Sequence, residues 1–163
     1  MIKKKICMLG AFSVGKTSLV EQFVHSVFSN KYLSTVGVKI SKKELRINGQ
    51  DIQLILWDME GQDIYADVNL SYLRGAMGFF VVADGTRMET MDIALTTRQL
   101  ALKMVGDVPN CLLVNKTDLS DQWEVSEETL AGLEQKGLAL FRTSAKTGAN
   151  VENAFEYIAK QMI

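Results

Sequence analysis

Ile6-Cys7-Met8-Leu9-Gly10-Ala11-Phe12-Ser13-Val14-Gly15-Lys16-Thr17-Ser18 is the stretch on which the reading of this chain turns. A short apolar run of strand type breaks at Gly10. Beyond Gly15-Lys16-Thr17 the apolar residues Leu19, Val20, Phe23 and Val24 recur at helical spacing. The order is strand, glycine-framed loop, helix. The loop fits G-x-x-x-x-G-K-[ST], in which two glycines let the backbone curl until successive N–H groups point inward at phosphate oxygens. The positive end of the helix dipole adds to that attraction. The candidate phosphate contacts are Ser13, Val14, Gly15, Lys16, Thr17 and Ser18. Lys16 is placed to reach the outer phosphates, and the Thr17 hydroxyl to ligate the Mg²⁺ that nucleotide phosphates carry. The competing reading is an ordinary strand-to-helix turn with a solvated lysine.

Working outward, apolar and polar runs alternate in the manner of strands and helices. A first strand is expected over residues 3–9 and a first helix over residues 16–27. Residues 28–35 follow neither period and read as a long loop, which in a compact domain tends to be functional. Strand-like runs over 38–47 and 51–57 flank Asn48-Gly49, a strong hairpin signal, and form one antiparallel pair. Residues 78–83 are almost continuously apolar, as suits a central strand covered on both faces. A helix over 90–102, a loop over 105–110 with Pro109, and a strand over 111–114 come next. A helix capped by Ser126, a strand over 138–143 and a last helix opened by Asn150 complete the chain. The pattern predicts an α/β fold of the P-loop NTPase kind: a six-stranded, mostly parallel sheet with one antiparallel hairpin strand and helices on both faces. Ligands of such sheets bind beyond the carboxyl ends of the strands. The polar clusters of this chain follow strands one, three, five and six, which excludes the ordinary-turn reading.

The 163 residues suit a single domain, 1–163, able to bury ~70% of the surface its unfolded chain exposes. The formal net charge is −1 and charges are mixed along the chain, so composition makes no case for nucleic acid or an acidic membrane surface. Lys3-Lys4-Lys5 reads as the solvated start of a buried strand. Cys7 and Cys111 lie in apolar runs without a neighbouring His or a C-x-x-C partner, and read as buried thiols in a reducing compartment. With no signal-type or spanning segment, the expected location is cytoplasmic. No cysteine stands near Gln161-Met162-Ile163 to accept a lipid, so no intrinsic membrane anchor is expected.

The remaining clusters supply the chemistry. Asp58 ends an apolar strand, where a carboxylate can hold Mg²⁺ through water, and Gly61 lets a backbone N–H approach a terminal phosphate. Gln62 beside it has an amide able to orient an attacking water. Asn115-Lys116-Thr117-Asp118 follows another strand end. A carboxylate accepts two hydrogen bonds from the N1–H and exocyclic amine of guanine, whereas adenine offers an acceptor at its ring nitrogen; Asp118 therefore selects guanine. Lys116 lays its stem along the ring and Asn115 ties this loop to the phosphate loop. Thr143-Ser144-Ala145-Lys146 completes the pocket, with the Ala145 N–H expected to donate to guanine O6.

These motifs in this order resemble a Ras-superfamily small GTPase, Rab-like in detail, over essentially the whole chain. Ser34-Thr35-Val36-Gly37-Val38, Trp57-Asp58 and Tyr72-Leu73-Arg74-Gly75-Ala76-Met77-Gly78 carry the Rab-like detail. The resemblance implies that Phe28 packs edge-on against the base and that Thr35 closes on Mg²⁺ and the γ-phosphate. It places Trp57 and Tyr72 in an effector-facing aromatic set. It also implies a monomer that meets effector, exchange-factor and activating proteins through residues 30–40 and 60–76. Departures accompany the match. Phe12 stands where the family has a small residue, and a ring there should obstruct an incoming arginine finger and the catalytic glutamine. Glu60 replaces a common alanine and sets a carboxylate near phosphate charge. Ile40 replaces an aromatic of the effector set, and lipid-accepting cysteines are missing.

The leading functional expectation is a GTP/GDP switch that slowly hydrolyses GTP, with Gln62 and Lys16 as catalytic residues and Thr17, Thr35 and Asp58 around Mg²⁺. No arginine in the loop around Thr35 supplies a further charge to speed it. Phe12 and Glu60 favour an alternative, a GTP/GDP-dependent binding module with little or no hydrolysis. A P-loop kinase acting on a small molecule leaves Asp118 unexplained.

Overall fold

A computed structural model describes residues 1–29, 37–59 and 70–163. Six strands form one sheet: β1 (Ile2–Gly10), β2 (Val38–Ile47), β3 (Gln50–Met59), β4 (Gly78–Asp84), β5 (Asn110–Asn115) and β6 (Leu140–Arg142). Their order is β2-β3-β1-β4-β5-β6. Only β2 runs antiparallel to its neighbour, with Ile47 opposite Gln50 across the Asn48-Gly49 turn. Both turn residues have positive φ, 51° and 79°, which is the backbone an Asn-Gly hairpin turn requires. The other pairings are parallel, as crossover connections through helices dictate.

Four α-helices lie among the described residues: α1 (Lys16–His25), α2 (Glu89–Val105), α3 (Glu127–Gln135) and α4 (Val151–Gln161). Side chains alternate across a strand, so the central strands feed two cores. Ile6, Met8, Phe80, Val82 and Leu113 pack under α1 and α4 with Leu19, Phe23, Phe155 and Ile158. Cys7, Leu9, Phe79, Val81 and Leu112 pack under α2 and α3 with Met91, Ala94 and Leu130. The Phe23 and Phe155 rings stack with centroids 4.0 Å apart, joining α1 to α4. Each fully buried Phe or Leu contributes about 1.5–3 kcal/mol relative to exposure. β4 is buried along its whole length, and β2, at the edge, buries only Ile47.

Several boundaries differ from the sequence expectation for local reasons. α1 stops at His25 because Ser26 turns left-handed, φ 55°, while its N–H closes onto the Gln22 carbonyl. α2 extends to Val105, where Gly106 ends it. Ser126 does cap α3, its hydroxyl accepting from the Thr129 N–H at 3.1 Å. Asn150 precedes α4 in a left-handed conformation and makes no side-chain cap; its amide donates to the Arg142 carbonyl at 2.8 Å. Lys5 is not simply solvated. Its ammonium donates to the Arg74 carbonyl at 2.7 Å and lies 3.6 Å from the centre of the Trp57 ring. Cys7 and Cys111 are buried, and burial pushes their thiols up to about 11 and about 12, which makes them inert.

Candidate functional site

β1 delivers the chain to Gly10, whose φ of 146° only glycine adopts comfortably; a Cβ there would run into the Val82 carbonyl of β4. Ser13 and Gly15 follow with φ of 61° and 100°, so the backbone curls before α1 begins at Lys16. Each carbonyl from Gly10 to Gly15 is taken by a donor. Lys16 Nζ donates to Gly10 at 3.1 Å and Ala11 at 2.8 Å. Arg87 Nη2 donates to Phe12 at 2.6 Å, Lys116 Nζ to Ser13 at 2.8 Å, and Asn115 Nδ2 to Val14 at 3.0 Å. The Leu19 N–H takes Gly15 at 2.8 Å. The loop is therefore held by a donor at every carbonyl from Gly10 to Gly15.

Lys16 is 6% exposed. Burial lowers its ammonium from 10.5 to about 8; the nearby Asp58 carboxylate partly restores it and the Arg87 cation adds to the fall. Thr17 Oγ1 donates to Asp58 Oδ2 at 2.5 Å, and Asp58 is wholly buried at the end of β3. This pair, a hydroxyl from the second residue of α1 and a carboxylate from the end of β3, is the oxygen donor set that Mg²⁺ favours. Among the described residues no group of three or more His, Cys, Asp or Glu could cage a metal by itself. Such a donor set fits an ion that keeps most of its ligands from water and phosphate.

On the base side, Asn115 is 2% exposed and joins three segments. Besides bonding Val14, its Oδ1 accepts from the Thr143 hydroxyl at 3.1 Å and from the Ala145 N–H at 3.2 Å. The Ala145 N–H expected to face guanine O6 is thus directed at Asn115. Ser144 Oγ donates to Asp118 Oδ1 at 2.7 Å and accepts from the Thr147 N–H at 3.0 Å, fixing the carboxylate. Gln22 Nε2 of α1 reaches the Ala145 carbonyl at 2.8 Å. Lys116 adopts a left-handed backbone, φ 78°, which starts the 3-10 turn over Thr117–Gln122 that carries Asp118.

The structure therefore assembles Ser13 to Thr17, Asp58, Asn115 to Asp118 and the segment from Thr143 to Ala145 at one end of the sheet. Ser18 is half-buried in the first turn of α1, and Lys146 is exposed just past Ala145. Phe28 is 39% exposed beyond α1, and Phe12 is 43% exposed at the loop. Thr35, Glu60, Gly61 and Gln62 lie outside the described residues. Trp57 and Tyr72 pack at 6.2 Å between centroids, and Ile40, paired with Trp57 on β2, is 49% exposed.

Sequence reasoning missed Asp84 and Arg87. Asp84 ends β4, is 1% exposed, and its Oδ2 takes both Lys116 Nζ at 2.8 Å and Arg87 Nε at 3.1 Å. Burial alone would raise its carboxyl, but the hydrogen bonds from Lys116 and Thr86 outweigh burial and hold it below its ordinary value. The signal was present: Asp84 is the polar residue at the carboxyl end of strand four, the position that marked the other clusters.

Among the described residues no helix is long and apolar enough to cross a membrane. A family model described as Ras family matches residues 5–163. The chain is similar to Ras-related protein Rab-8B of Homo sapiens, 34% identical over 161 residues that span 98% of this chain and 78% of the relative. It is similar to Ras-related protein Rab-8A of Bos taurus, 33% identical over 160 residues, spanning 97% and 77%.

Proposed function

The chain belongs to the Ras family and is a GTP-binding switch of Rab-like type, and on that premise we propose that it hydrolyses GTP slowly to GDP and signals through the loops containing Thr35 and Gly61. The observation that carries the reading is the direct bonding of the phosphate loop to Asn115 and Lys116, which joins a phosphate-binding element to a guanine-reading one. Ser13, Val14, Gly15 and Ser18 contribute backbone donors to the phosphates, and Lys16 a charge. Asp118, held by Ser144, reads the guanine edge. Lys116 and Phe28 flank the ring, and Ala145 and Lys146 close the pocket. Thr17, Thr35 and Asp58 hold Mg²⁺, which when bound offsets the charge of the outer phosphates. Gln62 orients the attacking water and the Gly61 N–H meets the terminal phosphate. Effector, exchange-factor and activating proteins are read as meeting residues 30–40 and 60–76.

Without an arginine in the loop around Thr35, hydrolysis is expected on the order of 10⁻⁴ s⁻¹ or lower. Single-turnover hydrolysis of preloaded GTP tests this. Slow conversion to GDP that falls at least tenfold, roughly 1.4 kcal/mol of barrier, in Gln62→Leu supports the switch. The exposed Phe12 ring at the phosphate loop favours a second reading, a binding module that keeps its GTP. GTP that stays intact for many hours selects that reading, and acceleration in Phe12→Gly would identify the ring as the obstruction.

A further inference from the structure

A phosphate loop keeps its N–H groups turned inward only while its carbonyls stay turned outward onto donors. The donors to residues 10–15 are not equivalent. Lys16 holds Gly10 and Ala11 with two of its three donors, the third being left for a phosphate. Lys116 and Asn115 hold Ser13 and Val14, and the helix itself holds Gly15. Among the described residues, Arg87 is the side-chain donor to the Phe12 carbonyl, between the carbonyls that Lys16 holds and those that Lys116 and Asn115 hold.

Arg87 is itself positioned from behind. Its Nε bonds Asp84 Oδ2 at 3.1 Å while its Nη2 reaches Phe12 at 2.6 Å, so one planar fork spans a buried carboxylate and the loop. The same Asp84 oxygen takes Lys116 Nζ, which bonds Ser13. Asp84 Oδ1 is occupied by the Thr86 N–H and hydroxyl at 2.8 and 2.7 Å, leaving the carboxylate little freedom to turn. Two neighbouring loop carbonyls are thus pinned by two cations that share one carboxylate.

We propose that Arg87 is a positioning residue for nucleotide retention: it pins the Phe12 carbonyl and, through Asp84, couples the phosphate loop to Lys116 on the base side. The ligand class is a guanosine di- or triphosphate, and the proposal rests on the guanine-nucleotide reading above. Retention of both nucleotides should depend on it, because the Phe12 carbonyl belongs to the loop that would cradle the phosphates common to the two. Lysine at this position keeps the charge but not the fork.

The test is release of fluorescent GDP and of a fluorescent, non-hydrolysable GTP analogue in Mg²⁺ buffer from the unmutated protein, Arg87→Gln, Arg87→Lys and Arg142→Gln. Arg142 pairs with Glu127 and Glu134 of α3 and controls for loss of an arginine ion pair. Arg87→Gln is expected to release both nucleotides at least fivefold faster and to shift the ³¹P resonances of bound GDP. Arg87→Lys should fall between, and Arg142→Gln should match the unmutated protein. Unaltered release and ³¹P spectra in Arg87→Gln overturn the proposal even if its melting temperature falls. Should Arg87→Gln fail to fold, unaltered release from Arg87→Lys overturns it equally. Failure of the unmutated protein to bind either nucleotide is a different result: it removes the guanine reading itself, and the proposal with it.

Discussion

Asp118 shows how much chemistry one side chain can carry when its neighbour fixes it. The Ser144 hydroxyl holds one carboxylate oxygen at 2.7 Å, so the group has a set orientation. Asp118→Asn replaces an acceptor by a donor. It is expected to weaken GDP binding by about 10²-fold or more and to favour xanthosine diphosphate, read by competition in a binding titration. Unchanged GDP affinity would remove the base assignment. Asp84 carries a different prediction. Its folded-state carboxyl lies below its ordinary 3.8 because Lys116 and Thr86 outweigh the effect of burial. A carboxyl lowered on folding contributes stability that is full well above its ordinary 3.8 and is lost progressively as pH falls from there through the lower folded value. Asp84→Asn is therefore expected to cost about 2 kcal/mol at pH 7, less than a fully buried pair because Lys116 and Arg87 are partly exposed. Denaturant unfolding at pH 7 and pH 3 should show the gap narrowing in acid; an equal gap would mean that packing, not charge, is lost. At this scale the sequence was legible in placement: Lys16 and Asp118 were expected beyond the carboxyl ends of β1 and β5, and they lie there. It was silent on Arg87, because its value lies in reaching a carbonyl 75 positions away.

Strands and helices were read well in kind and less well at their ends. Period-two and period-3.6 patterns express which faces are buried, and those faces are what the two cores use. Ends are set by single backbone conformations, such as left-handed Ser26 and Asn150, that periodicity does not encode. The 3-10 turn at Thr117–Gln122 went unread for the same reason. Glycines give the sharpest test of element geometry. Gly10→Ala would force a Cβ onto the β4 backbone from a positive φ, and is expected to cost about 3 kcal/mol or more. Gly49→Ala, also at positive φ but with open space around it, should cost only about 1 kcal/mol. Equilibrium unfolding of both variants checks the difference; equal losses would place the cost of Gly10→Ala in φ alone.

For the molecule as a whole, nucleotide and fold are linked, because a ligand that binds only the folded chain stabilises it. At a hundredfold excess over Kd that is about 2.7 kcal/mol, or roughly 5–10 °C in melting temperature for a chain of this size. GDP with Mg²⁺ is expected to produce such a rise and ATP with Mg²⁺ is not, measured by thermal unfolding. Equal shifts would show that the phosphates, and not the base, dominate recognition.

The outward carbonyls of the phosphate loop have one more consequence, for the chain as it is made. Ser13 and its donor Lys116 are 103 positions apart, and the donor to Phe12 is 75 away. At ~5–20 residues per second, a growing chain carries the signature glycines for roughly 5–20 s before the residues that hold them in shape have been added. A nucleotide met during that interval finds a flexible peptide and no grip. A firm hold on the ligand thus waits until residue 116 has joined the chain, because Lys116 and Asn115 carry the bonds to Ser13 and Val14.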